Sequence, residues 1–89
     1  MPTVHFTANL QRHVAAPSTP VEAETVAEAL NAVFARVPPL RGYVLDDQGA
    51  VRPHVTIFVD GAQIWDRERQ GDRISPGAEI WVMQALSGG

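Results

Sequence analysis

Few side chains in this sequence could carry out covalent chemistry. Cysteine is absent from the 89 residues, which excludes disulfides, thiolate metal sites and a cysteine nucleophile. The serines Ser18, Ser75 and Ser87 lack a convincing base and a G-x-S-x-G motif. The segments DGAQIW and QGDRISPG do not have the spacing of a phosphate-cradling loop. The sequence therefore predicts neither a catalytic serine nor a nucleotide site.

Histidine side chains are the first candidates for metal binding. His5, His13 and His54 form no i, i+4 pair on a helix, and no acidic residue completes a metal triad with them. His5 and His54 could share the outer face of a sheet. We expect all three to be solvent-facing histidines, so the sequence predicts no metal site.

Carboxylates cluster in two turn-like segments of the chain. These clusters are Asp46-Asp47 and the group Asp66, Glu68 and Asp72, interspersed with Gln48, Arg67, Arg69 and Arg73. A buried carboxylate pair could act as general acid and base. Mixed charges in turn-like segments are more typical of solvated loops, and we expect that arrangement for both clusters.

The most suggestive chemical feature is the glycine pair at the end of the sequence, Gly88-Gly89. Glycine has no Cβ, so a Gly-Gly segment fits a narrow enzyme channel in which a terminal carboxylate reacts. A disordered terminus or a linker remnant is the alternative explanation. A glycine pair directly after the last predicted strand of a compact domain favours the reactive end.

Composition limits the classes of partner. The net charge is −3, and the seven basic residues are all arginine and form no run. Nucleic acid is therefore a poor partner, because phosphate binding needs clustered cations. No apolar stretch reaches about 18 residues, and the start MPTVHFTANLQRH lacks the pattern of a signal peptide. We expect a cytoplasmic domain that binds neither nucleic acid nor membrane.

One helix and several strands must position these residues. In ETVAEALNAVFARV, Thr25 and Glu28 form a predicted capping box. An apolar stripe at helical spacing follows and comprises Val26, Leu30, Val33, Phe34 and Val37. Pro38-Pro39 ends this helix. The next segment, LRGYVLDDQGAVRP, is predicted to be a loop with a short extended piece at YVLDD.

Strands are predicted where apolar and polar residues alternate. TVHFTANL places Val4, Phe6 and Ala8 on one side, and TPVEA is a candidate return strand. HVTIFVDG runs into an Asp60-Gly61 hairpin turn and the returning strand AQIW. EIWVMQAL is the last strand. The residues of this strand that point inward are Ile80 and Val82. In the central strand HVTIFVDG, the inward residues are Val55, Ile57 and Val59.

This order of elements predicts an α+β fold of the β-grasp, ubiquitin-like type. A mixed sheet of about four to five strands would carry one main helix on one face. The last strand would lie beside the first and parallel to it. Residues 1–85 would form this domain, and residues 86–89 a flexible tail.

Large apolar side chains are predicted on the sheet face opposite the helix. Phe58, Trp81 and Met83 all point outward if the alternation holds. A solvated sheet face should carry polar residues, so this group suggests a partner-binding patch. Coverage by a loop is the alternative explanation.

Three segments resemble the ubiquitin-like sulfur carriers of the MoaD/ThiS family. They are ETVAEALNAV in the helix, RPHVTIFVDG in the central strand and turn, and AEIWVMQALSGG in the last strand and tail. The resemblance implies a protein substrate and sulfur donor, not an enzyme. A ubiquitin-activating-like enzyme would use ATP to adenylate the terminal carboxylate, which sulfur would convert to a thiocarboxylate. A sulfur-acceptor enzyme, for example in molybdopterin or thiamin synthesis, would receive that sulfur.

Carried onto this sequence, the resemblance assigns the acyl-adenylate and then the thiocarboxylate to Gly89. Leu86, Ser87 and Gly88 would thread into the partner's site, and Met83 falls at an apolar partner-contact position. No other cofactor is implied. Two alternatives remain open: a ubiquitin-like modifier conjugated through Gly89, and a non-covalent β-grasp interaction module.

Overall fold

The computed structural model describes residues 1–8 and 17–84. Seven elements lie wholly within these residues: β1 Thr3–Phe6, β2 Thr19–Pro20, α1 Val26–Arg36, α2 Leu40–Val44, β3 Val55–Val59, β4 Ala62–Gln63 and β5 Glu79–Gln84. The strands form one sheet in the order β2-β1-β5-β3-β4. Strands β1 and β5 are parallel, and the other neighbours are antiparallel. The predicted α+β arrangement, with the last strand beside the first, is confirmed.

Helix α1 begins at the predicted cap. The Thr25 hydroxyl accepts a hydrogen bond from the Glu28 N–H at 3.2 Å. The Glu28 carboxylate reaches one residue further back than a capping box requires and accepts from the Glu24 N–H at 2.9 Å. The buried face of the helix comprises Val26, Ala29, Leu30, Val33 and Phe34. Burying each large apolar side chain of this face stabilises the fold by roughly 1.5–3 kcal/mol.

The segment after Pro38-Pro39 differs from the prediction. Instead of an extended piece beginning at Tyr43, helix α2 runs from Leu40 to Val44, and the chain becomes extended at Leu45. Leu40 and Val44 are fully buried and lie four residues apart, on one face of a helix. Pro39, with φ of −60°, suits the residue that precedes a helix. Burial of this apolar pair thus decides in favour of a helix.

The inward side of the sheet carries the predicted apolar residues. Val4 and Phe6 of β1, Val55 and Ile57 of β3, and Ile80 and Val82 of β5 are all buried. Two details differ: β1 ends at Phe6, so that Ala8 is exposed, and Val59 is only partly buried. The strands on either side of the Asp60-Gly61 turn pair as predicted. Both turn residues have positive φ, 49° and 88°, as a type I′ hairpin requires.

The polar segment between β4 and β5 ties the start of α1 to the rest of the fold. The Gln70 carbonyl accepts from the Ala27 N–H at 2.8 Å, and the Asp72 carbonyl accepts from the Val26 N–H at 3.0 Å. The buried Gln70 side chain donates to the Gly49 carbonyl at 3.1 Å. The first two bonds satisfy N–H groups that a helix start otherwise leaves unpaired, and the third joins the segment to the loop at Gly49.

Candidate functional site

Strand β5 positions the candidate reactive end of the chain. It lies in the sheet centre between β1 and β3, and its inward residues Ile80 and Val82 are fully buried. The last described residue, Gln84, is paired with Val55 of β3. The four predicted tail residues, Leu86, Ser87, Gly88 and Gly89, lie outside the described residues. They follow the central strand of the sheet after one intervening residue.

The outer face of the sheet carries the predicted apolar group, which we call the outer patch: Phe58, Trp81 and Met83. Trp81 is 42% exposed and Met83 41% exposed, while Phe58 is partly buried. Phe58 and Trp81 are direct cross-strand partners of β3 and β5. The side-chain directions predicted from the alternation are therefore confirmed. The role of the outer patch in binding stays a prediction.

His5 differs from the solvent-facing histidine that the sequence predicts. Its side chain is only 17% exposed. Its ring stacks on that of Trp81, with centroids 4.5 Å apart and an interplanar angle of 18°. The pairing of β1 with β5 places His5 directly opposite Trp81, so His5 adjoins the outer patch. His54 is exposed in the turn before β3, and His13 lies outside the described residues.

Ser18 lies within hydrogen-bond distance of a histidine, a pairing that the sequence did not reveal. His5 Nδ1 lies 2.7 Å from Ser18 Oγ, and His5 Nε2 lies 2.7 Å from a carboxylate oxygen of Glu79. Separations of 13 and 74 residues along the chain conceal this group from a local motif search. The predicted parallel pairing of the first and last strands was the one signal that could have brought His5 near Glu79.

The acidic clusters organise loops. One oxygen of Asp46 accepts from the N–H groups of Gln48 and Ala50, at 2.8 and 3.0 Å. Asp72 accepts from the N–H groups of Trp65 and Asp66, at 2.7 and 2.9 Å. In the described part of the chain, no cluster of three or more potential metal ligands could hold a metal ion. Neither α1 nor α2 has the length and apolar character to cross a membrane.

Asp66 should make stability depend on pH in acid. Hydrogen bonds from the Arg69 and Gly71 N–H groups lower the pKa of Asp66 below its usual value of 3.8. A carboxyl whose pKa falls on folding stabilises the fold above its unfolded pKa, and that contribution disappears as the pH falls through the folded value. We expect the melting temperature to fall below about pH 4, and Asp66→Asn to reduce that fall.

Thermal unfolding followed by circular dichroism from about pH 2 to pH 7 measures this effect. Asp47→Asn is the matched control, because Asp47 is an exposed carboxylate in the other cluster. Its acid profile should follow that of the native chain. If the melting temperatures of the native chain and the Asp66 variant fell equally with pH, Asp66 would not be the source of the acid dependence.

Comparison with known proteins places this geometry in a family. The model of the ThiS family matches residues 4–89, nearly the whole chain. The chain belongs to the ThiS family. The predicted membership of the ubiquitin-like sulfur-carrier family is thereby confirmed. A comparison with curated protein sequences finds no match.

Solved structures confirm the β-grasp fold expected of a ThiS family member. SAMP1 from Haloferax volcanii is 25% identical with a TM-score of 0.78, over 99% of this chain and 98% of that one. A chain of the BexX/CysO complex from Amycolatopsis orientalis is 17% identical with a TM-score of 0.84, over 100% of both chains. CysO from Mycobacterium tuberculosis is 17% identical with a TM-score of 0.80, over 97% of this chain and 100% of that one.

Proposed function

We propose that this ThiS family member carries sulfur as a thiocarboxylate on Gly89 and donates it in the synthesis of a cofactor or metabolite. The observation that carries the proposal is the family match, which runs through Gly88-Gly89 to residue 89. The central position of β5 supports it, because the strand that precedes the tail is paired on both sides, with β1 and with β3. Molybdopterin and thiamin synthesis are candidate pathways, and the cytoplasm is the proposed location.

The chemistry requires a partner for activation. The Gly89 carboxylate attacks the α-phosphorus of ATP in an adenylating enzyme of the ubiquitin-activating type, and pyrophosphate leaves. Sulfide then attacks the carbonyl carbon of the acyl-adenylate, AMP leaves, and a proton is released. Because the chain contains no cysteine, it has no thiol on which to hold the sulfur as a persulfide. The acceptor enzyme would take the sulfur from the Gly89 thiocarboxylate.

The outer patch is the proposed contact surface for the activating enzyme. Aromatic side chains dominate the binding energy of many interfaces, and Trp81 lies on the strand that leads into the tail. We expect Trp81→Ala to weaken binding of the adenylating enzyme by about 1–3 kcal/mol, measured by titration calorimetry. Phe58→Ala should act in the same direction.

The matched control for this titration is Trp65→Ala. Trp65 is 95% exposed and lies in the segment after β4. Its removal tests whether loss of any exposed tryptophan weakens binding, and we expect unchanged affinity. A Trp81 variant that melts at a much lower temperature but binds normally would show that Trp81 supports the fold alone.

Intact mass measurement tests the proposed function. The chain is incubated with a cognate adenylating enzyme, ATP and sulfide, and its mass is compared with that of a sample without ATP. We expect a mass gain equal to replacement of one oxygen by sulfur, dependent on ATP. An unchanged mass with an enzyme that demonstrably adenylates the chain would refute the sulfur-carrier proposal.

A ubiquitin-like modifier is the second candidate function. It is favoured by the likeness to SAMP1, a protein described in a second structure as small archaeal modifier protein 1. The chain contains no lysine, so it could not build lysine-linked chains on itself, although it could be joined to other proteins. Conjugates joining Gly89 to lysines of other proteins would support this candidate. If the protein retained its full biological activity after deletion of Gly89, it would instead be a non-covalent interaction module.

A further inference from the structure

Ser18, His5 and Glu79 form a continuous hydrogen-bonded relay on the outer side of the sheet. His5 Nδ1 is 2.7 Å from Ser18 Oγ, and His5 Nε2 is 2.7 Å from Glu79 Oε1. When Glu79 is ionised and the His5 ring is neutral, Glu79 can only accept a hydrogen bond, so the proton of the ring lies on Nε2. Nδ1 then carries the lone pair and accepts the Ser18 hydroxyl proton. This is the arrangement in which a histidine acts as a general base.

Three strands hold the relay in place. His5 belongs to β1, Glu79 begins β5, and Ser18 directly precedes β2, whose Thr19 pairs with Val4 of β1. The Trp81 ring covers one face of the imidazole at a centroid distance of 4.5 Å. The two hydrogen bonds therefore restrain the imidazole within its plane, and the stacking on Trp81 restrains it perpendicular to that plane. Ser18 itself is exposed. A shielded base beside an exposed hydroxyl suits a nucleophile that meets its substrate from solvent.

We propose that Ser18 is an activated nucleophile that accepts acyl groups from activated esters. Ser18 Oγ attacks the ester carbonyl carbon while its proton moves to His5 Nδ1. The bond to the leaving oxygen then breaks, giving an ester on Ser18 and an alkoxide or phenolate, and the imidazolium returns its proton to solvent. His5 is the catalytic base of this step, and Glu79 is a positioning residue that acts through His5.

Acylation of Ser18 is a different reaction from the proposed sulfur transfer and does not involve Gly89. The relay supplies a nucleophile, a base and an orienting carboxylate, which promote attack on the carbonyl. None of these three groups donates hydrogen bonds to a developing oxyanion, which is the usual source of the largest rate gain. We therefore expect one acylation for each chain, followed by slow hydrolysis, and not rapid turnover.

Acetylation by p-nitrophenyl acetate tests the proposal on the full chain. Tandem mass spectrometry locates the acetyl group, and the increase of each acetylated peptide with time gives the rate at each serine. We expect acetylation at Ser18 at least about a hundredfold faster than at exposed Ser75, because general base catalysis contributes about 10²–10⁴-fold. In a urea-unfolded sample of the same chain, the rates at the two serines should become similar.

Variants separate the roles in the relay. Ser18→Ala should abolish labelling at position 18, and His5→Gln should slow it by about a hundredfold, with circular dichroism confirming that both are folded. Ser75→Ala is the matched control and should leave Ser18 labelling unchanged. For Glu79→Gln, the ¹⁵N chemical shifts of His5 should move away from the Nε2–H tautomer, and labelling should slow. Equal labelling of Ser18 and Ser75 in the native chain would overturn the proposal.

Discussion

Deletion of Gly89 is expected to reduce thiocarboxylate formation by at least about a hundredfold. The variant still ends in glycine, so the reacting group remains a glycine carboxylate. One residue of extended chain spans about 3.3–3.6 Å, however, and misplacing a reacting group by about 1 Å can cost about a hundredfold in rate. The measurement is the ATP-dependent mass gain of the carrier with its adenylating enzyme and sulfide.

Ser87→Ala provides the control for this deletion. It changes a tail side chain but retains the length of the tail and the glycine pair. We expect it to be converted at close to the native rate, while the outer patch binds the enzyme in both variants. Native conversion of the deletion variant would contradict the assignment of the reaction to Gly89.

Arg67→Ala is expected to lower the free energy of unfolding by about 2–4 kcal/mol. Arg67 Nη2 donates to the carbonyls of Arg52 and Val55 at 2.7 and 2.8 Å, and a third carbonyl, that of Val51, lies at 3.5 Å. A hydrogen bond to a charged group contributes about 1.5–3 kcal/mol, and because Arg67 is only partly buried, water compensates for part of the loss of two such bonds. Truncation removes the donor for both close carbonyls, which precede or begin β3. Urea unfolding followed by circular dichroism measures the change.

Arg69→Ala is the matched control, because Arg69 is an exposed arginine in the same segment. Surface substitutions of this kind change stability by about 0.5 kcal/mol or less. The stability of Arg67→Lys should lie between those of the two Ala variants. An ammonium can donate to the same carbonyls, but it lacks the planar geometry of guanidinium. Equal stability of the Ala variants at positions 67 and 69 would show that the three carbonyls do not depend on Arg67.

Local sequence patterns were sufficient for the elements that bury a regular apolar face. The cap at Thr25 and the stripe of α1 specify that helix, because both signals lie within one segment. Ile80 and Val82 alternate with Trp81 and Met83, so the two faces of β5 follow from the period of a strand. The Asp60-Gly61 turn was recognisable because few residue pairs accept positive φ at both positions.

Features that depend on long-range contacts could not be predicted in this way. The relay joins His5 to residues 13 and 74 positions away, so no motif marks it. Helix α2 is short, and it is stabilised by the burial of Leu40 and Val44 in the hydrophobic core. The role of Arg67 and Gln70 also escaped prediction, because their partners are backbone carbonyls, which exist at every position.

Tandem mass spectrometry of the C-terminal peptide can show directly whether Gly89 carries sulfur. The carrier is recovered from its own cells without reducing agents, and the peptide is fragmented to locate any sulfur. We expect a population in which one oxygen of the Gly89 carboxylate is replaced by sulfur. Recovery of Gly89 only as a free carboxylate or as an amide with other proteins, under conditions that preserve a synthetic thiocarboxylate standard, would contradict it.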